Sequence, residues 1–461
     1  MSEAIEKASL AHAAAPLIGV APDAVRRAAV VAAAATLREH MGDVLSANEA
    51  DVSAARQAGM AVPLVDRLQL TSERIEAIAS SMEEVARQDD PLGSVRSGRT
   101  LASGVRLECV SVPLGVVAMI YEARPNVTAD AFALCARSGN ACVLKGGSAA
   151  RMSCRAIVEY CREGLVAAGL PADACCLVDS TDRAETRELM HADGLVDVLI
   201  PRGGASLIQT CVRESTVPVI ETGVGNCHIY LESSADAQMA VDIVVNAKTS
   251  RPGVCNAAES LLVDDAAADE LLPAVLLALS ERGVELVGDE RCRAVAEDNG
   301  VRMGVADEQD WGREYLDLKM SVHAVSGVDE AIAHINRYGT GHSEAIVTSS
   351  YSASERFLTG VDAAAVYVNA STRFTDGGVF GLGCEIGIST QKIHWRVTLR
   401  DPADAVQGGE EVLGLRGRAV RAGASEVVGP AEEPTRPDAV PVLQHVRPPA
   451  RLAARGLVAA V

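Results

Sequence analysis

Lysine is scarce in this 461-residue chain: five occur, at Lys7, Lys145, Lys248, Lys319 and Lys392, against 37 arginines. Where a lysine stands, its surroundings are therefore informative, although Lys7 reads as incidental. Aromatic residues make up only 3% while apolar residues reach 48%, so alanine and valine must fill the interior, as in helices laid on a parallel sheet. The twelve cysteines include no C-x-x-C pair, which argues against zinc ligation. No apolar run reaches 18 residues and no secretory h-region is evident, so a membrane span is not expected and a reducing, cytoplasmic compartment is. Excess positive charge is missing too: the net charge of −20 argues against nucleic-acid partners, whose phosphates need a basic face. Finally, no G-x-G-x-x-G occurs, so a dinucleotide would have to be held by other loops.

What is present reads as an α/β protein, and its length suggests more than one domain. Residues 1–90 carry helical periodicity, notably Asp23 to Met41 and Thr71 to Arg87. Residues 95–112 suggest a β-ribbon bent at Gly98 and Gly104. From residue 115 strands alternate with helices: GVVAMIY (115–121), ACVLK (141–145), ACCLV, DVLI and VPVI are short apolar runs. That alternation predicts a doubly wound parallel sheet, with ligands beyond the carboxyl ends of its strands, hence at loops 122–126, 145–151, 201–205 and 221–227. A second α/β unit follows, with a helix over 236–247, a loop bearing Cys255, strands at 260–263 and 284–287, and a helix over 328–339. Residues 365–369 again read as a strand. Residues 396–461 hold 8 acids and 9 arginines, are rich in Pro, Gly, Ala and Val, and lack sustained periodicity, so they read as poorly ordered or partly structured.

Five stretches could carry chemistry. In KTSRPGVCNAAESLLV (248–263), Pro252-Gly253 stops a helix and sets Cys255 on a constrained loop near Lys248 and Arg251. Cations lower a thiol's pKa, yet a buried loop cysteine fits the local sequence slightly better. In YEARPNVTADAFALC, Asn126 either caps a helix, the plainer reading, or donates to an oxyanion. Arg124 beside it could meet a phosphate or a surface carboxylate. In VLKGGSAAR, Lys145 ends a strand, Gly147 permits close backbone approach and Ser148 starts a helix. With Arg151 and no acid in that stretch, these residues suit a 2′-phosphate, hence NADPH over NADH. In LIPRGGASL, Gly203 and Gly204 precede a helix whose N-terminus could receive a pyrophosphate. In VIETGVGNCHIYL, Glu221 could be a base, a cofactor-orienting group, or simply a cap or ion-pair partner; His228 reads as structural, and His342 further on could line a site or, more plainly, brace a loop by a hydrogen bond. Arg251 and Arg373 are candidates for gripping a substrate carboxylate, against ordinary surface ion pairs.

Together VPLGVVAMIYEARPNVTADA, VLKGGSAA, PRGGASLI, VIETGVGNCHIY, NAKTSRPGVCNAAESLLV, VDEAIAHINRYGTGHSEAI and GCEIGISTQKIH resemble the aldehyde dehydrogenase superfamily, and within it the branch that reduces glutamyl phosphate, over roughly residues 5–394. The resemblance implies an aldehyde dehydrogenase-like fold. A cofactor-binding domain is expected over residues 1–233, a cysteine-bearing catalytic domain over 234–362, a return to the first domain over 363–395 and an atypical tail over 396–461. It implies that Cys255 is the nucleophile and that Asn126 stabilises the oxyanion. Lys145, Gly147, Ser148, Gly203 and Gly204 would line NADPH. Glu221 falls where hydrolytic relatives keep a glutamate, and Glu314 resembles the residue holding the nicotinamide ribose. The implied reaction is NADPH-dependent reduction of L-glutamyl 5-phosphate to the semialdehyde, with glutamate 5-kinase as pathway neighbour and a homo-oligomeric assembly. Members continue after QKIH with an Ala-Arg-Gly-Pro-like segment and a final strand at the dimer contact. Here WRVTLRDPADAVQGGEE follows His394, as a frame change in the coding sequence would produce. The alternatives are a CoA-acylating relative, and a binding or impaired homologue marked by that altered end.

Overall fold

A computed structural model describes residues 2–100, 102–104, 106–380, 386–391 and 420–421. They divide into two compact units, one of residues 2–222 with 377–380 and 386–388, the other of residues 223–376 with 389–391 and 420–421.

The first unit opens with helices α1 (Glu3–Gly19), α2 (Asp23–Glu39), α3 (Met41–Gln57), α4 (Val62–Leu68) and α5 (Ser72–Arg87). Ser2 and Thr71 cap α1 and α5, accepting from the amides of Ile5 and Arg74. The buried stripe of α1 is Ala4, Ala8, Ala11, Ala14 and Ile18, spaced three and four residues apart so that one face meets the core. Small residues let helices approach closely. A Cβ on Gly164 would lie 2.5–2.6 Å from Ala33 of α2, which is why an alanine-rich composition can pack with so few aromatics.

Strands β1 (Val95–Thr100) and β2 (Arg106–Val110) form the antiparallel ribbon. Gly104, at φ +85°, makes its turn, whereas Gly98 lies within β1 opposite Glu108 and not at a bend. Next come β3 (Val116–Tyr121), α6 (Asn126–Arg137), β4 (Ala141–Gly146), α7 (Arg151–Ala167), β5 (Cys175–Leu177), α8 (Arg183–Met190), β6 (Val198–Arg202) and α9 (Ala205–Glu214). The sheet is wholly parallel in the order β5-β4-β3-β6. β3 is buried along its whole length, as a strand covered on both faces must be. The chain reverses its direction of winding between β3 and β6. The run VPVI forms no strand, only a single bridge between Leu199 and Val219, because Pro218 has no N–H to extend a ladder.

The second unit holds β7 (Cys227–Leu231), α10 (Ala237–Thr249), β8 (Ala258–Asp264), α11 (Ala268–Glu281), β9 (Glu285–Gly288), α12 (Glu290–Asp298), β10 (Gly304–Val305), β11 (Lys319–Val325), α13 (Val328–Tyr338), β12 (Ser343–Val347), α14 (Tyr351–Gly360), β13 (Ala365–Val368) and β14 (Val420–Arg421). All pairings in this eight-stranded sheet are parallel, in the order β10-β9-β11-β8-β7-β12-β13-β14. Two expected boundaries move as a result. β7 is hydrogen-bonded to β8 on one side and β12 on the other, so it belongs here and not to the first unit. β13 pairs with β12, so the return to the first unit starts at residue 377 and not at 363. The expectation for residues 396–461 falls outside the described residues except for Val420 and Arg421.

Candidate active site

The loop of Cys255 is fixed at both ends. α10 ends at Thr249, Ser250 is its C-cap, and Pro252-Gly253 turns the chain before Ala257 N bonds to Val254 O at 3.1 Å and β8 begins. Of the eleven cysteines among the described residues none is disulfide-bonded and nine are buried; Cys109 is exposed on the ribbon and Cys255 is half-buried. Burial pushes the Cys154 and Cys211 thiols up to about 11 and Cys176 to about 12, which keeps those sulfurs protonated. Cys255 is thus neither fully buried, as the plainer reading of its loop had it, nor exposed like Cys109.

Four residues that directly precede parallel strands converge there: Gly225 before β7, Cys255 before β8, Leu316 before β11 and His342 before β12. Cys255 therefore lies on a loop at the amino ends of the second sheet, entering β8 as its sequence suggested. Gly225 packs so tightly that a Cβ on it would sit 1.6 Å from the Cys255 carbonyl oxygen. The Cys227 thiol donates to that same oxygen at 3.2 Å. Asn256 Nδ2 donates to Thr375 O at 2.8 Å, and Thr372 Oγ1 donates to Asn256 O at 2.8 Å. Beneath them His342 Nδ1 and Ser343 Oγ share a 2.7 Å hydrogen bond, and Ser343 Oγ and Thr375 Oγ1 share one of 2.6 Å, so His342 braces the loop as the sequence suggested. Glu314 Oε1 accepts from Gly225 N at 2.8 Å, and burial raises its pKa. Lys248 donates to Glu259 at 2.6 Å with both side chains buried, and Leu316, at φ +55°, donates its N–H to the same carboxylate at 3.3 Å. Burial pushes Glu259 up while the Lys248 ammonium opposes it.

In the first unit Lys145, Gly147 and Ser148 come together at the carboxyl end of β4. Lys145 Nζ donates to Ser180 O at 2.7 Å, and burial lowers its pKa against the pull of Glu3, Asp179 and Glu185. A small pocket is lined there by Lys145, Gly147, Ser148, Arg151, Asp179 and Ser180, among others. Asp179 brings a carboxylate that the local stretch lacks, and it binds Arg151 through two hydrogen bonds of 2.9 and 2.7 Å. Glu3 in turn accepts from the amides of Asp179 and Ser180. Gly203 and Gly204 stand at the N-terminus of α9. The Gly204 amide donates to Glu122 Oε2 at 3.0 Å, so a carboxylate of the chain itself occupies the position expected for pyrophosphate. A Cβ on Gly203 would meet the same Glu122 side chain at 2.7 Å.

Asn126 is the first residue of α6 and does not cap it; Pro125 holds the cap position, without a side-chain bond. Asn126 Nδ2 instead donates to Asp130 Oδ2 at 3.1 Å, and burial pushes the Asp130 carboxyl up to about 6. Glu221 is half-buried in the extended segment after Val219 and ends no strand. The structure thus gathers Cys255 and Glu314 in one unit, and Lys145, Gly147 and Ser148 in the other with Gly203 and Gly204. Cys227, Gly225 and Glu3 carried no local signal. Asp179, two residues past a strand, did.

The sequence matches the model of the aldehyde dehydrogenase family over residues 2–293. The chain belongs to that family, and its parallel sheets with flanking helices are an aldehyde dehydrogenase-like α/β fold. Gamma-glutamyl phosphate reductase of Clostridium beijerinckii is 50% identical over 396 residues, which cover 86% of this chain and 95% of the relative. The enzyme of the same name from Thermobifida fusca is 51% identical over 384 residues, 83% and 91%. The crystal structure of gamma-glutamyl phosphate reductase from Thermotoga maritima matches with a TM-score of 0.83 and 44% identity, covering 86% of this chain and 94% of that one. Within the family the chain therefore falls among the gamma-glutamyl phosphate reductases. An acetylating aldehyde dehydrogenase from Geobacillus thermoglucosidasius, 19% identical over 81% of this chain and 87% of that one with a TM-score of 0.55, shares the fold.

Proposed function

We propose that the chain reduces L-glutamyl 5-phosphate to L-glutamate 5-semialdehyde and phosphate with NADPH, through a thioester on Cys255, in the cytoplasm. The observation that carries this reading is the half-buried thiol on a loop pinned by Gly225, Cys227 and Asn256, in a chain whose relatives bear that enzyme's name.

The first unit is assigned the nucleotide. Lys145 and Ser148 suit a 2′-phosphate and Gly147 lets backbone approach it, while Gly203 and Gly204 are assigned the pyrophosphate, which would take the place of Glu122 at the Gly204 amide. Because Asp179 holds Arg151, preference for NADPH rests on Lys145 unless that ion pair opens. Glu221 is kept as a cofactor-side residue and Glu314 as a candidate for the nicotinamide ribose. A nicotinamide, when bound, supplies the two electrons of the reduction.

The second unit is assigned the covalent chemistry. The Cys255 thiolate attacks the acyl carbon, the C–O bond to phosphate breaks, and phosphate leaves with that bond's electron pair, so little acid help is needed. Asn126 is assigned to the oxyanion; one of its two amide protons is committed to Asp130 and the other remains for this role. No water-activating base is required, which removes the need for Glu221 as a catalyst. The substrate's chemistry calls for an upstream kinase that phosphorylates a side-chain carboxylate.

The test is NADPH-dependent phosphate release from L-glutamyl 5-phosphate. Cys255→Ala is expected to lose at least about a thousandfold in kcat/KM, since the covalent route is gone. A reverse reaction that demands CoA and ignores inorganic phosphate would replace this reading with an acyl-CoA one.

A further inference from the structure

We infer that Arg251 and Arg373 form a two-guanidinium clamp for an anionic oxygen group of the substrate beside Cys255. This rests on the function proposed above and assigns how its substrate is gripped.

The clamp is built by the tethers of the nucleophile loop. Ser250 caps α10 and Arg251 follows it, in the turn that carries Cys255. Arg373 lies in a 3-10 turn, Thr372–Phe374, that is stapled to the same loop at both ends. Its Nε donates to Ser250 Oγ at 3.3 Å, at the head of the loop. Its carbonyl accepts from Asn256 Nδ2 at 3.5 Å, and Thr372 Oγ1 donates to Asn256 O at 2.8 Å, at the foot. The staple fixes Arg373 to the loop that carries Arg251, close enough for the Arg251 charge to act on it.

Neither cation is neutralised in the way that other arginines of the chain are. Arg26 reaches Asp90 at 2.6 Å and Arg151 reaches Asp179 at 2.7 Å. Among the described residues neither Arg251 nor Arg373 stands in an ion pair like these, and Asp376 is the carboxylate whose charge reaches Arg373. Burial and then the charge of Arg251 lower the pKa of Arg373, while Asp376 and the Cys255 sulfur act in the opposite sense. Two like charges held together beside a thiol favour an anion between them. Guanidinium forks match the paired oxygens of a carboxylate or a phosphate. Glutamyl phosphate offers both groups, its acyl phosphate and its α-carboxylate, and an uncharged aldehyde offers neither.

The first part of the test needs no turnover. Cys255 and Cys109 are alkylated with iodoacetate, an anion, and with iodoacetamide, which is neutral, and each site is followed by peptide mass spectrometry. Cys109, exposed on the ribbon, gives the reagents' ordinary ratio. Cys255 is expected to favour iodoacetate relative to Cys109. Arg251→Gln, at an exposed position that does not endanger folding, and Arg373→Gln should each cut that preference by about fivefold, the size of one partly screened charge. Arg373→Lys should restore part of it. In the reverse reaction the same variants raise KM for inorganic phosphate if the clamp holds phosphate, or KM for the semialdehyde if it holds the α-carboxylate. An unchanged reagent preference, or variants that leave both KM values alone, would overturn the clamp. Failure of wild-type Cys255 to react with either reagent would instead overturn the function proposed above.

Discussion

Replacing Gly225 with alanine perturbs the Cys255 loop through one added methyl group. The φ of Gly225 lies outside the left-handed region, so alanine can adopt its backbone and the obstruction is purely steric. The new carbon would lie 1.6 Å from the Cys255 carbonyl oxygen, 2.3 Å from its carbonyl carbon and 2.6 Å from its Cα. Ordinary contacts begin near 3.5 Å, so the two backbones must separate by about 2 Å. That motion strains the Gly225–Glu314 hydrogen bond and the Cys227 bond to Cys255 O. Overpacking of this kind costs about 1–3 kcal/mol. Its effect on chemistry is larger, because a displacement of about 1 Å at the reacting atom lowers the rate about a hundredfold. Gly225→Ala should therefore unfold only a few degrees early while kcat/KM and the rate of Cys255 alkylation fall by about a hundredfold or more. Gly253→Ala is the control: a Cβ there meets only Leu316 O at 3.8 Å, and it should stay within a few-fold of wild type. Wild-type turnover in Gly225→Ala, or an equal loss in Gly253→Ala, would refute the claim that Gly225 sets the position of the nucleophile.

Three further outcomes follow from buried or paired charge. Lys248→Met strands Glu259 without its counter-ion and should cost about 3–5 kcal/mol in denaturant unfolding, with much of it recovered in Lys248→Met/Glu259→Gln. Asp130, pushed by burial from 3.8 to about 6, makes folding less favourable as pH rises through that window, because the unfolded carboxyl ionises first. Asp130→Asn should thus match wild-type stability below pH 4 and exceed it above pH 6, by at most about 3 kcal/mol; equal stability at both ends would remove the effect. Asp179→Asn releases Arg151 and should raise the NADPH-to-NADH ratio of kcat/KM by about two- to fivefold, the worth of a half-exposed ion pair, whereas a lower ratio would count against a 2′-phosphate in that pocket.

The strands β3 and β4 were legible because strands covered on both faces read as nearly unbroken apolar runs. β12 was not, since buried Glu344 interrupts the run SEAIV; that carboxylate accepts from His228 of β7, a partner no local pattern announces. Sheet membership was equally hidden. Nothing in CHIYL or AVYV tells which neighbours complete their hydrogen bonds, so β7 and β13 were placed in the wrong unit until their pairings were seen. At the candidate site, Pro252 and Gly253 announced the turn that carries Cys255. The tethers of that turn did not show, because Cys227 lies 28 residues away and Thr375 119. Likewise Glu3 reaches Asp179 across 176 residues, and it reshapes a pocket that looked purely cationic in VLKGGSAAR.

The central claim is that the Cys255 sulfur becomes acylated, and a single-turnover experiment reaches it most directly. The enzyme is mixed with glutamate 5-semialdehyde and NADP+ in the absence of phosphate. The account predicts a burst of one NADPH per chain, a glutamyl thioester located at Cys255 by mass spectrometry, and its discharge when inorganic phosphate is added. A burst that persists in Cys255→Ser, or reduction that proceeds in wild type with no adduct on this cysteine, would contradict it.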